Sequence, residues 1–291
     1  MRVVDDRIDD LPSRLGLSAH SRRSEHEVVS AWDAAVSCCY AGQKVPRTVM
    51  DACRLSAAKE LLEAFSECLE RIRPPRVLWG RFFRAMHWDL DHDRFDTWHE
   101  FLEYSEGASV APTTIYLHLI VAKSGATGGI VPEAFDIMEC GRHLGRFAYL
   151  GHIVRDLAVD LRQGDRGLIY VPSGEMSSFG VTEEMLFSDL HRGRASRETR
   201  LLVAELVARA RAELELGRSM MSCLRGKIEE DREFILALVV SLYERVIDKI
   251  ERCASDVMGE ALRLTSAGKE SLLLELARQM GADVGLELRV E

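Results

Sequence analysis

Apolar residues recur along almost the whole chain at spacings of three and four, the period of an amphipathic helix. Between Glu25 and Tyr40, Val28, Val29, Trp32, Val36 and Cys39 share a face, and Gly42 follows as a stop. Val45-Pro46 opens a second helix, rich in strong helix formers, that runs to the Pro74-Pro75 break. A third, Val77 to about Leu90, carries Trp79, Phe82, Phe83 and Met86. Asp93 or Asp96 is expected to cap the next, with Thr97-x-x-Glu100 as a capping box before Phe101 and Leu102. That helix should kink between Gly107 and Pro112. Ser124–Gly129 reads as a loop, without the strand–glycine–helix context of a dinucleotide site. Helix resumes with Pro132 at its first position, reaches Asp160 and stops at Gly164 to Gly167. A short extended piece, Ile169 to Pro172, precedes a restart at Val181-Thr182-Glu183-Glu184. Three more helices follow: Arg194 to Cys223, Glu229 to Met258 and Lys269 to Met280. No buried strand pattern, fixed-period repeat or low-complexity segment interrupts them. Eight to ten helices with short connections predict a single all-α bundle.

Composition narrows the class. The 291 residues are 47% hydrophobic and 29% charged, ordinary for a soluble globular protein with an ample core. No apolar run reaches the ~18 residues that span a bilayer, and the acidic N-terminus is unlike a signal peptide. A net charge of −9 argues against nucleic-acid binding. Seven cysteines without a CxxC pair read as reduced core thiols of a cytosolic protein. The cluster His87, Asp89, Asp91, His92, Asp93 alternates in a way that suits a helix end better than a tetrahedral zinc site.

Two acidic pairs carry the candidate chemistry. In the stretch Leu144–Pro172, Asp156 and Asp160 lie one helical turn apart on a helix otherwise apolar at Phe147, Leu150, Ile153, Val154, Leu157 and Leu161. Alone, such a pair is either a solvated face or a cation site. At the other end, Asp5 and Asp9 repeat the spacing, as do Asp6 and Asp10, with Arg2 before them and Pro12 closing the segment. Alone, that segment is either a frayed tail or a second wall. Taken together, the pairs place two helices across a central cavity, their four carboxylates holding two or three Mg²⁺ ions shared with a substrate diphosphate. Arg2 and Arg155 could reach phosphate oxygens, and an apolar cavity would shelter a carbocation. This is the physics of ionising an allylic diphosphate.

The ordered motifs resemble the squalene/phytoene synthase family of head-to-head prenyl transferases. Arg2 to Asp9 is similar to its RxxDDxxD motif, and Met86 to Val110 to its MxxDLxxxRYxxxxELxxYCxxVA segment. Leu144 to Pro172 resembles LGxAxQxxNIxRDxxxDxxxGRxYLP, followed by the matching Gly180-Val181, and Leu242 to Ile250 resembles YxxILDxI. The resemblance implies an isoprenoid-synthase bundle, one domain over 1–291, around a central cavity. It implies Asp5, Asp9, Asp156 and Asp160 as Mg²⁺–diphosphate ligands, Arg2 and Arg155 as diphosphate contacts, and Tyr104 and Tyr243 beside the metals.

The implied reaction condenses two prenyl diphosphates, farnesyl or geranylgeranyl, through a cyclopropylcarbinyl diphosphate. The product is of squalene type, with NADPH as reductant, or of phytoene type, without it. The expected setting is cytoplasmic; peripheral membrane contact for product release and oligomeric state are left open. Three departures stand out. Tyr149 and His152 replace the family's Gln and Asn, and His152 could still ligate or hydrogen-bond. Ala108 to Thr113 replaces its VAGTVG, and its first helix, with an SFxxAxxxLP motif, is missing. They motivate two alternatives: a relative that ionises one diphosphate and does something else with the cation, and a non-catalytic homologue that binds prenyl diphosphate or acts as an interaction subunit.

Overall fold

A computed structural model of the chain describes residues 1–9, 11, 16–123, 131–163, 167–253, 257–259 and 262–281. Asp10, Pro12, the Ser124–Gly129 loop and Gly164 lie outside them. The described residues form thirteen α-helices with a π-helical and a 3-10 turn, and no strand is found among them. The all-α bundle follows from the periodicity; the helices outnumber the expected eight to ten because long apolar patterns break.

The chain opens with α1 (Arg2–Asp9) and α2 (Ala19–Tyr40). α2 starts well before Glu25 because the Ser18 hydroxyl accepts the Ser21 N–H at 3.1 Å and caps it. The single helix expected from Pro46 to Ile72 is instead α3 (Arg47–Ala52) and α4 (Ala58–Arg71). Arg54, between them, has φ +51°, a left-handed conformation uncommon for a residue with a side chain. Tertiary structure pins this break: the Trp32 indole donates to the Cys53 carbonyl at 3.2 Å.

After α5 (Arg76–Asp91) comes α6 (Trp98–Ser105), and the capping box forms. Its cap is Thr97 itself, not Asp93 or Asp96: the Thr97 hydroxyl accepts the Glu100 N–H, and the Glu100 carboxylate accepts the Thr97 N–H at 3.3 Å. The expected kink is a π-helical turn, Glu106–Val110, running straight into α7 (Ala111–Val121). In a regular helix Pro112 would lack its N–H bond and press its ring on the Ala108 carbonyl. One wider turn relieves both, with the Ala111 N–H bonding the Glu106 carbonyl.

α8 (Ile137–Asp160) begins at Asp136, later than Pro132, because the Asp136 carboxylate accepts the Met138 and Glu139 N–H groups at 3.1 and 3.0 Å. α9 (Ser173–Ser178), α10 (Glu183–Arg192), α11 (Arg197–Met221), α12 (Glu230–Arg252) and α13 (Ser266–Met280) complete the bundle. α8 is its axis, packed on α7, α11, α12 and the π turn, while α5 joins α1 and α2 to the rest. Gly141 and Gly145 permit that close packing. A Cβ at Gly145 would lie 2.6 Å from the Val110 Cα, and one at Gly141 2.8 Å from the Thr114 Cβ. No described helix is long and apolar enough to cross a membrane, and all seven cysteines are free.

Candidate active site

α8 lays His152, Asp156 and Asp160 along one face at four-residue intervals. Asp156 is buried, its side chain only 8% exposed, yet three basic side chains converge on it. Arg155 donates through Nε at 2.9 Å and Nη2 at 2.5 Å, His152 Nε2 lies at 2.8 Å, and Arg263 Nη2 lies at 3.6 Å. Burial alone would raise the Asp156 pKa, but the hydrogen bonds from Arg155 and His152 outweigh it and hold the carboxyl well below its usual range. Arg155 mirrors this: burial opposes its charge, and Asp156, Tyr243 and Asp160 more than restore it. Tyr243 and Asp160 therefore belong to the same neighbourhood. Tyr243 is half-buried and packs edge-on against Phe147 at 6.4 Å.

Tyr104 sits in an adjoining aromatic array. Its hydroxyl donates to both oxygens of the buried Asp89, at 2.8 and 3.0 Å. Its ring lies 4.7 Å from Trp88, 5.2 Å from Phe95, 6.0 Å from Tyr149 and 6.4 Å from Tyr170. Burial, and then the Asp89 charge, push the Tyr104 phenol far above its ordinary pKa. Burial does the same at Tyr149, reinforced by Tyr170, Asp89 and Asp160. Both phenols thus stay protonated at neutral pH, as donors. Tyr149 links this array to Asp160 and hence to the Asp156 cluster.

α1 is a docked helix, not a frayed tail. Val4 and Ile8 are buried, Arg7 donates to Glu25 of α2 at 2.6 and 2.9 Å, and α1 packs on α5. Asp5 is half-buried beside the Met1 ammonium, which burial weakens and Asp5 partly restores. Asp9 is exposed, and Arg2 is exposed and paired with Asp6 at 3.1 Å. Thus Asp156, Asp160, Arg155, His152 and Tyr243 are gathered around one point and Tyr104 adjoins them. Asp5, Asp9 and Arg2 are carried on a separate, firmly seated helix.

Among the described residues no three His, Cys, Asp or Glu side chains form a ready-made metal cage. The donor set still fits Mg²⁺, which prefers hard oxygen and is normally held by one or two carboxylates with the substrate's phosphates completing its shell. Two cavities lie elsewhere. One, about 880 Å³, is a surface groove by α3 lined by Lys44, Arg47, Arg54 and Lys59. The other, about 270 Å³, lies between α6, α8 and α11 and touches the array through Phe101 and Tyr149. Neither is bordered by an acidic pair.

The family model for squalene/phytoene synthase matches residues 1–268. The chain belongs to the squalene/phytoene synthase family. It is accordingly a prenyltransferase-type enzyme. Its fold is that of solved family structures. A dehydrosqualene synthase crystallised with a ligand superposes with a TM-score of 0.68 at 18% identity, over 96% of this chain and 84% of the other. A squalene synthase from Alicyclobacillus acidocaldarius superposes with a TM-score of 0.56 at 20% identity, over 97% and 80%. A comparison with curated protein sequences gave no significant match.

Within this family member, sequence reasoning missed three participants in the cluster. Arg263 precedes α13 by three residues with no motif around it, so only folding brings it to Asp156. Asp89 had the signal of its DL dipeptide but was read as part of a helix-end cluster. Tyr170 lies within the extended piece Ile169 to Pro172 and reaches the array by ring contacts to Phe95 and Tyr104.

Proposed function

We propose that this protein catalyses a Mg²⁺-dependent head-to-head condensation of two prenyl diphosphates, farnesyl or geranylgeranyl, to a squalene- or phytoene-type hydrocarbon through a cyclopropylcarbinyl diphosphate. The observation that carries this is the convergence of Arg155, His152 and Arg263 on the single buried carboxylate of Asp156. Three basic side chains around one carboxylate form a nucleus that a diphosphate can take over once that carboxylate turns to a metal. Mg²⁺ shared between the diphosphate and Asp5, Asp9, Asp156 and Asp160 would neutralise charge on the leaving group.

The chain's own groups supply the rest. Arg155, with Arg2 from the opposite wall, binds and orients phosphate oxygens, and His152 moves from Asp156 to the phosphate. Protonated Tyr104, held on Asp89, and Tyr243 stand beside the developing carbocation. The rings of Trp88, Tyr104 and Tyr149 exclude water and offer π faces to positive charge. NADPH enters only for a squalene-type product. On this reading residues 1–291 form one domain in a cytoplasmic protein that touches the membrane peripherally to release its product.

Incubation with farnesyl or geranylgeranyl diphosphate, with and without Mg²⁺ and NADPH, tests the proposal by product chromatography and diphosphate release. Mg²⁺-dependent hydrocarbon is expected. Absence of both hydrocarbon product and released diphosphate would sink the proposal. A second reading, a non-catalytic homologue that binds prenyl diphosphate, is favoured by His152 occupying Asp156 where the family carries an amide. It predicts Mg²⁺-dependent binding of a diphosphate analogue without turnover.

A further inference from the structure

We propose that Glu25 is a positioning residue for the first acidic wall: it fixes the roll of α1, and so the direction of Asp5 and Asp9, through a clamp on Arg7. The inference rests on the reading that Asp5 and Asp9 bind metal. α1 has only eight residues, too few to hold a helix on its own in water. Its order must come from what it docks against. Val4 and Ile8 supply an apolar stripe one turn long. A stripe that short fixes position along the surface better than rotation about the helix axis.

Rotation is set by Arg7, whose Nε and Nη2 make two parallel bonds to the Glu25 carboxylate at 2.6 and 2.9 Å. Arg7 lies two residues after Asp5 and two before Asp9. At about 100° per residue it projects from nearly the opposite side of α1 to both. The clamp therefore aims the two carboxylates without touching them. Glu25 is itself held from a second side. Its side chain is only 12% exposed, and Arg54 approaches its Oε1 at 3.6 Å while bonding the Ser24 hydroxyl at 2.5 Å. Arg54 is the residue with left-handed backbone between α3 and α4, so the anchor is built into a fixed turn rather than a loose surface pair.

Breaking the clamp lets α1 leave its docked orientation, and apparent metal affinity falls in proportion to the docked fraction. The test is Mn²⁺ binding, followed by electron paramagnetic resonance with inorganic diphosphate present, in the full chain and in Glu25→Gln, Arg7→Gln and the double variant. We expect each single variant to bind Mn²⁺ about 5- to 30-fold more weakly. The double variant should be no weaker than the singles, because both remove the same contact. Losses that multiply in the double variant would overturn the clamp, as would singles that bind like wild type. Wild-type protein that takes up no Mn²⁺ with diphosphate would overturn the metal-site reading as well, which separates the two failures.

Discussion

Replacing Asp156 by Asn tests the core of the proposed site through stability as well as activity. The side chain keeps its shape but loses the charge that three basic side chains share. Arg155 is the partner that matters most, since its side chain is only 21% exposed and it makes two bonds, whereas His152 and Arg263 are 51% and 70% exposed. A hydrogen bond to a charged group contributes about 1.5–3 kcal/mol, and orphaning a buried charge costs about 3–5 kcal/mol. With solvent screening of the outer two partners, the expected loss is about 2–3 kcal/mol at pH 7.

The sign with pH is fixed by the depressed Asp156 pKa. A carboxyl held below its unfolded value stabilises the fold above that value, near pH 4, and loses the contribution as pH falls toward the folded one. Wild type should therefore lose about 1.4 kcal/mol per pH unit below about pH 4 from this group, a loss Asp156→Asn cannot show. Urea denaturation of both proteins at pH 7, 5 and 3 measures the gap directly. A gap that stays constant down to pH 3, or an Asn variant as stable as wild type at pH 7, would refute the assignment of Asp156 as the shared anchor of the cations.

Three further outcomes follow from the packing. Gly145→Ala should destabilise by about 3 kcal/mol, read as a lowered thermal midpoint, because its Cβ meets the Val110 backbone rather than a side chain that can turn away. Tyr104→Phe removes the donor from the buried Asp89 and should cost about 1–3 kcal/mol in urea denaturation, in addition to any effect on turnover. Asp189→Ala should cost about 3–5 kcal/mol by calorimetry: this fully buried carboxylate accepts from the Ser196 N–H at 2.9 Å, the Ser196 hydroxyl at 2.8 Å and the Thr199 hydroxyl at 2.6 Å, and pairs with Arg192.

The helical class and the order of the helices were legible because burial imposes a period that one sequence displays. Breaks without glycine or proline were not. The split at Cys53 to Ala57 depends on Trp32 reaching across to a carbonyl, a contact distant in sequence. The π turn was half legible: Pro112 announced a kink, but its form depends on how the freed carbonyls find partners. At the site, residues on successive turns of one helix, His152, Asp156 and Asp160, could be read from their spacing together with the family resemblance. Arg263, Tyr170 and Glu25 could not, since each joins the cluster or its support from another element.

These two kinds of residue divide the proposed site in a way that bears on its chemistry. The α8 wall is over-determined: Gly141 and Gly145 seat it, and Asp156 is held by three basic side chains before any ligand arrives. Preorganisation of that kind costs the ligand little ordering but obliges a diphosphate to compete with Asp156 for Arg155 and His152. The α1 wall is the reverse. Arg2 and Asp9 are exposed, and the helix is short enough that its order depends on tertiary anchors such as Val4, Ile8 and the Arg7–Glu25 pair. Binding energy from the diphosphate would then go into completing α1, while α8 supplies the fixed reference. Substitutions on α8 should therefore show themselves in the stability of the free protein. Those around α1 should surface mainly in metal affinity.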